Sequence, residues 1–137
     1  MTPGSVHAGS QPSILVVDDD PRARRLMRVI LEHAGYRVAL AADAEAALAE
    51  LALCPAGVVI ADLMMPGMDG IELVARLRRE AIDPRPRLVL LTAMDTLETR
   101  TAALAAGADE VMTKPIDRAM LLERLTALCD GAPGDVT

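Results

Sequence analysis

The sequence predicts a single doubly wound α/β domain, in which helices cover both faces of a five-stranded parallel sheet. Short apolar runs alternate five times with longer segments of helical spacing. Such alternation is typical of parallel strands joined by right-handed helical crossovers. The first run, ILVV, is continuous and rich in branched side chains, as expected of a strand buried on both faces. Polar residues also follow several of the predicted strands. In open parallel α/β sheets, ligand-binding sites lie at the edge formed by the carboxyl ends of the strands.

The five predicted strands are short and end at polar or turn-forming residues. The first ends at three consecutive aspartates, and the fifth ends at a Lys-Pro pair. We expect strands at residues 14–17, 36–40, 57–61, 88–91 and 111–112.

The five predicted helices are recognised by apolar spacing and by their end signals. In the first, Pro21 suits the opening turn, and Leu26, Val29 and Ile30 repeat with helical spacing. We expect helices at residues 21–34, from Asp43 to before Pro55, after the loop 64–70, at residues 95–106, and after Asp117.

The length and composition favour one domain. The 137 residues, 52% of them apolar, suffice for one hydrophobic core and are too few for two ordinary domains. We expect this domain over residues 13–129. Residues 1–12 and 130–137 lack apolar periodicity, and we expect them to be flexible tails.

The charge and the cysteines narrow the possible functions. A net charge of −6 argues against direct binding of nucleic acid. No run approaches the roughly 18 apolar residues of a membrane span, and the N-terminus lacks a secretion signal, so we expect a cytoplasmic protein that does not contact the membrane. Cys54 and Cys129 lack the spacing of a zinc or redox site, and we expect small buried thiols.

Polar residues after four of the strands predict one functional site. These are Asp18 to Asp20, Asp62, Thr92 and Lys114. The carboxyl ends of parallel strands meet at one edge of the sheet, so these side chains are expected to converge. Carboxylates about 4 Å apart repel by about 4 kcal/mol at an effective dielectric constant of 20, so a cation is expected among them. Donors that are all oxygen favour Mg²⁺, with Mn²⁺ as a substitute.

Asp62 is the candidate nucleophile of this site. A carboxylate that attacks phosphorus forms an acyl phosphate, while a metal ion and Lys114 neutralise the incoming oxygens. The hydroxyl group of Thr92 is placed to contact another of those oxygens. The chemistry expected is therefore phosphoryl transfer.

Four motifs resemble, in order, those of the receiver domains of two-component response regulators. They are ILVVDDDP, VVIADLMMPGMDG, LVLLTA and GADEVMTKP, and the resemblance covers about residues 13–129. It implies a flavodoxin-like sheet with strand order 2-1-3-4-5. It also implies a conformational switch that accepts a phosphoryl group from a sensor histidine kinase or a histidine phosphotransfer protein and signals to an output domain or protein. Beyond assisting its own phosphorylation and dephosphorylation, such a domain is not an enzyme.

The resemblance also assigns the metal and phosphorylation residues. Asp62 is the phosphoacceptor, and Asp19 directly and Asp18 through water hold Mg²⁺ with it. The backbone carbonyl of Met64 is a further metal ligand. Met64 and Met94 border the path of hydrolytic water in this family, so two apolar side chains there are expected to slow dephosphorylation.

The residues that pass the signal on in this family differ in part from the family pattern. Thr92 is the switch hydroxyl, and Lys114 contacts the phosphoryl group and precedes Pro115 through an expected cis peptide bond. Val111 stands where the family usually has an aromatic residue that rotates with the threonine, and Ile116 stands where Phe is common. We therefore expect phosphorylation chemistry to be retained and the signal to pass through helix and loop shifts.

Two other functions are weighed against this one. A phosphorylation-independent interaction module would retain the pocket and lose the switch; Val111 favours it, and the intact acidic residues oppose it. A phosphatase of the haloacid dehalogenase type also begins with Asp-x-Asp after a strand. That phosphatase motif requires Thr or Val at the position of Arg22. It also requires a cap domain and a later acidic loop, and neither is recognisable in this sequence.

Several surface features leave alternatives open. Arg22, Arg25 and Arg28 form either a solvated helix face or a docking face for the phosphodonor. Met65 and Met68 either pack the loop or line a contact surface. Four charged residues lie near the fifth strand: Asp109, Glu110, Arg118 and Arg124. They are either solvated or form ion pairs across a dimer that phosphorylation promotes. The protein is therefore expected to be either a monomer or a phosphorylation-linked dimer.

Overall fold

The sheet of the computed structural model has the predicted architecture. The structure describes residues 13–82, 84–94 and 96–130, so both expected tails lie outside it except for Asp130. All five strands are parallel, in the order β2-β1-β3-β4-β5. The predicted fold class and strand order are confirmed. The strands are β1 Ser13–Val17, β2 Arg37–Ala41, β3 Val58–Asp62, β4 Arg87–Thr92 and β5 Glu110–Thr113.

Five helices connect and follow these strands, and most begin at a capping side chain. Asp20 and Asp43 accept hydrogen bonds from the first turns of the first two helices, and Thr96 does so for the fourth. Asp69 and Glu72 form a reciprocal capping box at the third. The helices are α1 Pro21–His33, α2 Ala44–Leu53, α3 Gly70–Glu80, α4 Leu97–Ala106 and α5 Arg118–Asp130.

The sheet separates two hydrophobic cores. Side chains of a strand alternate between its faces, so Ile14 and Val16 join the core beneath α1 and α5, whereas Leu15 and Val17 join the core beneath α2, α3 and α4. Val111 belongs to the second of these cores. Burial of both faces explains why the strands read as continuous apolar runs.

The predicted apolar face of α1 is wrong in part. Met27 and Leu31 are its buried residues, whereas the side chains of Leu26 and Val29 are 62% and 60% exposed. Ile30 is half-buried against the core. The helix carries two apolar stripes, and helical spacing does not decide which one the sheet covers.

Other sequence predictions are corrected or decided by the packing. Cys54 is exposed and Cys129 is half-buried, so the expectation of two buried thiols is wrong for Cys54 and is only partly met by Cys129. Met65 is buried and Met68 packs against the same core, which supports loop packing for this pair. Within the described residues, no helix combines the length and apolar character needed to cross a membrane.

Three of the four charges near β5, Asp109, Glu110 and Arg124, have partners within the described part of the chain. Glu110 pairs with Arg124 at 2.8 Å, and Asp109 pairs with Arg78 of α3 at 2.8 Å. Asp109 and Glu110 therefore form ion pairs within the chain. The sequence alone predicts only solvated charges or ion pairs across a dimer for these residues.

Candidate functional site

Three carboxylates converge where β1 and β3 end. Val17 of β1 is in register with Ala61 of β3, which brings the next residues, Asp18 and Asp62, side by side. Asp18, Asp19 and Asp62 each offer an oxygen, and these oxygens all lie within 4.8 Å of one another. Asp18 and Asp62 are buried and Asp19 is exposed, so the cluster opens to solvent on the Asp19 side.

The third aspartate of the run has a different role. Asp20 is the N-cap of α1, and its Oδ1 accepts a hydrogen bond from the amide of Arg22 at 3.0 Å. The amide of Asp20 in turn donates to Oδ1 of Asp18 at 2.9 Å, and Arg24 Nη1 donates to the carbonyl of Asp18 at 2.7 Å. The start of α1 therefore holds Asp18 in place while Asp20 serves the helix.

Lys114 supplies the positive charge of the cluster. Its Nζ lies 3.2 Å from Oδ2 of Asp62 and 3.8 Å from Oδ2 of Asp18. The amide of Lys114 donates to the carbonyl of Thr92 at 2.8 Å, which fixes the residue beyond the end of β5. The Lys114–Pro115 peptide bond is cis. One ammonium group thus bridges two buried carboxylates.

The electrostatics of Asp18 indicate that the cluster is short of positive charge. Burial raises the pKa of Asp18 above its ordinary value, and the charges of Asp62 and Asp19 raise it further; the hydrogen bond from Asp20 and the charge of Lys114 act in the opposite direction. A divalent cation would stabilise all three carboxylates. Three carboxylate oxygens at this spacing fit a hard ion such as Mg²⁺.

Thr92 lies at the end of the neighbouring strand, and its hydroxyl group contacts the loop that follows this strand. It is the last residue of β4, and β4 pairs with β3 so that Asp62 is in register with Leu91. Its Oγ1 accepts a hydrogen bond from the amide of Met94 at 2.9 Å and donates to the carbonyl of Met94 at 3.2 Å. The structure therefore places Thr92 beside the cluster, with its hydroxyl engaged by the β4–α4 loop.

Two exposed methionines follow Asp62 and Thr92 in the chain. The side chains of Met64 and Met94 are 65% and 58% exposed. The amide of Met64 also approaches Oδ1 of Asp62 at 3.4 Å. An exposed apolar side chain thus stands two residues after Asp62 and another two residues after Thr92.

Gly70 supports the site and was not identified from the sequence. A Cβ atom at this position would lie 2.7 Å from the carbonyl oxygen of Asp62 and 2.9 Å from Cα of Leu63. The amide of Gly70 donates to the carbonyl of Leu63 at 2.9 Å. The start of α3 can approach the end of β3 this closely only without a side chain. The signal available in the sequence was a glycine directly after the N-cap Asp69.

Comparisons with known proteins agree with this geometry. A family model described as the response regulator receiver domain matches residues 14–126. An uncharacterised 14.6 kDa protein of Leptolyngbya boryana is 38% identical over 92% of this chain and 96% of its own length. The response regulator MprA of Mycolicibacterium vanbaalenii is 44% identical over 84% of this chain. The chain covers 49% of the length of MprA.

A solved structure gives the same result in three dimensions. The chemotaxis protein CheY4 of Vibrio cholerae superposes with a TM-score of 0.81 at 31% identity, covering 86% of this chain and 98% of CheY4. The similarity therefore includes the whole five-stranded architecture as well as the sequence motifs.

Proposed function

The chain belongs to the response regulator receiver domain family of two-component signalling, and on that basis we propose that Asp62 accepts a phosphoryl group from a phosphohistidine donor. The observation that carries this proposal is the cluster of Asp18, Asp19 and Asp62 with Lys114 bridging two of its members. A buried carboxylate beside a cation and two further acidic groups suits nucleophilic attack on a phosphoryl group.

The chain's own residues would divide the chemistry among them. A carboxylate oxygen of Asp62 bonds to phosphorus while the bond from phosphorus to the donor imidazole breaks, and the imidazole keeps the electron pair. Lys114 stays paired with the developing negative charge. Asp18, Asp19, Asp62 and the backbone carbonyl of Met64 would hold Mg²⁺, or Mn²⁺ in its place, and the bound ion would neutralise charge on the phosphoryl oxygens.

Switching would begin at Thr92. A phosphoryl group on Asp62 adds acceptor oxygens, which compete with the backbone of Met94 for the Thr92 hydroxyl. Release of Met94 frees the β4–α4 loop and biases the packing of α4 and β5. Since Val111 offers no aromatic ring, this loop carries the signal to an output domain or protein.

The phosphodonor would dock on α1. Leu26 and Val29 are exposed, and Arg22, Arg25 and His33 lie on the same side by helical spacing. We propose that this stripe packs against a helix of a sensor histidine kinase or histidine phosphotransfer protein. Because α1 starts next to the acidic cluster, a helix lying on it brings its phosphohistidine close to Asp62.

Docking is tested by replacing both Leu26 and Val29 with Asp. The double variant should lose phosphotransfer from a histidine kinase and keep phosphorylation by acetyl phosphate, which needs no docking surface. Equal loss with both donors would show damage to the pocket, and unchanged transfer from the kinase would place the docking surface elsewhere.

Phosphorylation itself is tested by intact mass. The protein is incubated with acetyl phosphate or phosphoramidate, with and without Mg²⁺, beside Asp62→Asn and the control Asp20→Asn, which keeps the cap of α1. The proposal expects one added phosphoryl group in wild type and in the control, only with Mg²⁺, and none in Asp62→Asn. The same gain in Asp62→Asn would overturn the assignment.

A phosphorylation-independent interaction module is the second candidate, and Val111 in place of the family's aromatic switch favours it. This function expects partner binding that is the same for wild type and Asp62→Asn. It is rejected if only the phosphorylated protein binds the output partner.

A further inference from the structure

We propose that α4 pivots about its C-terminal end, which Arg78 of α3 holds fixed, while its N-terminal end moves when the Thr92 loop is released. The movement rests on the proposed phosphorylation of Asp62. The attachment of the C-terminal end is inferred from contacts that are present in the unphosphorylated structure. Arg78 is thus a positioning residue for the switch, at the edge of the sheet opposite the acidic cluster.

The guanidinium group of Arg78 joins three segments. Its Nε donates to the carbonyl of Gly107 at 2.9 Å, Nη1 to the carbonyl of Pro86 at 3.0 Å, and Nη2 to Oδ2 of Asp109 at 2.8 Å. The planar fork of an arginine suits such divergent acceptors, whereas a lysine offers a single point charge. The end of α4, the start of β5 and the residue before β4 are all tied to α3.

Asp109 extends this attachment into the sheet. Its Oδ2 accepts from the amide of Leu88 at 2.8 Å, and its own amide donates to the carbonyl of Leu88 at 2.7 Å. The side chains of Arg78 and Asp109 are only 16% and 21% exposed. A shielded ion pair of this kind resists salt screening better than a surface pair.

Gly107 shows how closely Arg78 occupies the turn after α4. Gly107 has φ of +120°, which side chains rarely adopt, and a Cβ atom there would lie 2.5 Å from Cγ of Arg78. The arginine stem therefore fills the space beside the glycine. The turn has little room to shift unless Arg78 moves with it.

The opposite end of α4 buries little surface. Of the ten residues of α4, all described, only Ala103 is buried, and Leu97 in the first turn is 82% exposed. Ala106 packs against the core and Ala108 is buried, both close to the Arg78 attachment. Between the two ends, Arg100 Nη1 donates to the carbonyl of Val111 at 3.2 Å. Segments with little buried surface open at low free-energy cost.

The unphosphorylated protein tests the fixed end by NMR-detected amide exchange. In Arg78→Ala, the amides of Leu88, Gly107 and Ala108 should exchange about tenfold faster than in wild type, after correction for any change in global stability. The control Arg76→Ala, which removes an exposed pair with Glu80 on the same helix, should leave them unchanged. Equal rates in the two variants would overturn the attachment.

The phosphorylated protein tests the pivot, once intact mass shows one phosphoryl group. In wild type, chemical shifts and exchange should change at the amides of Met94, Thr99 and Arg100 and stay constant at Gly107 and Ala108. In Arg78→Ala the changes should reach Gly107 and Ala108. A merely structural role would lower stability and leave this pattern unaltered, which would overturn the proposal, as would equal changes at both ends of α4 in wild type.

A second variant covers the case in which Arg78→Ala does not fold. Asp109→Asn keeps an acceptor for the amide of Leu88 and removes the ion pair, so it should show the same spread of changes in weaker form. If the protein gains no phosphoryl group from any donor, the proposed function fails and the pivot fails with it. The fixed end is then still judged by the unphosphorylated comparison.

Discussion

The Nζ of Lys114 lies 3.2 Å from Asp62 and 3.8 Å from Asp18, so a single ammonium group bridges the two buried carboxylates. Lys114 is also the only lysine in the sequence. Among the described residues, Lys114 is the cation that forms ion pairs with these carboxylates, whose oxygens lie within 4.8 Å of one another, and Arg24 contacts only the backbone carbonyl of Asp18. This excess of negative charge explains why the pocket is suited to a divalent cation.

Lys114→Met should slow phosphorylation of Asp62 by about a hundredfold, because a cation that stabilises charge in the transition state is lost. The measurement is the initial rate of phosphorylation by acetyl phosphate at saturating Mg²⁺. Arg118→Met, which removes an exposed cation near the same strand end, is the control and should react at the wild-type rate. A Lys114→Met rate within about twofold of wild type would contradict a catalytic role.

Asp18→Asn should stabilise the metal-free protein at neutral pH by about 1 kcal/mol. The repulsion between unit charges about 5 Å apart reaches about 3 kcal/mol at a dielectric constant of 20, and the charge of Lys114 offsets part of this repulsion. Asn keeps an acceptor for the amide of Asp20. The measurement is urea unfolding in EDTA. A variant less stable than wild type would show that the carboxylate is needed for folding.

The stability difference should also depend on pH. The pKa of Asp18 is raised in the folded protein, chiefly by burial, so its contribution to stability is present below the ordinary value of 3.8 and is lost as pH rises through the folded pKa. Wild type should therefore lose stability relative to Asp18→Asn as pH rises above 3.8, and the two proteins should converge below it. A gap that is constant with pH would rule out this titration as its source.

Mg²⁺ should raise the free energy of unfolding, by about 1.4 kcal/mol at ten times its dissociation constant. Asp19→Asn should weaken this effect strongly, because Asp19 belongs to the carboxylate cluster. Asp20→Asn should leave it nearly unchanged, since Asp20 caps α1 and Asn is an equally good cap. Thermal unfolding across a Mg²⁺ titration separates the two neighbours, and equal losses in both variants would contradict the division of roles.

Met64→Asn should accelerate loss of the phosphoryl group about threefold or more, a change of about 0.7 kcal/mol in the barrier, because an amide can orient water where the exposed methionine cannot. The measurement is the decay of phosphorylated protein after removal of the donor. Leu53→Asn, which changes an even more exposed apolar residue on α2, is the control. An unchanged decay rate in Met64→Asn would reject the shielding role.

The sequence by itself determined the architecture and the location of the site. Continuous apolar runs alternating with helical segments specify parallel strands between helices, because each pattern reports local burial on one or both faces. The carboxyl ends of parallel strands must share an edge, so Asp18, Asp62 and Lys114 were predicted to meet although they lie far apart in the chain. The four motifs then supplied the strand order by resemblance.

Only the tertiary structure decided which acidic side chains cluster and which one caps a helix. Asp18, Asp19 and Asp20 are identical in type and adjacent, and their different placements follow from the register of β1 with β3 and from the start of α1 after Asp20. The same packing decided that Met27 and Leu31, and not Leu26 and Val29, face the sheet. The attachment of Arg78 to Gly107 joins residues 29 positions apart, so no local pattern carries it. Such contacts depend on distances between elements, which the sequence encodes only through the packing of the whole domain.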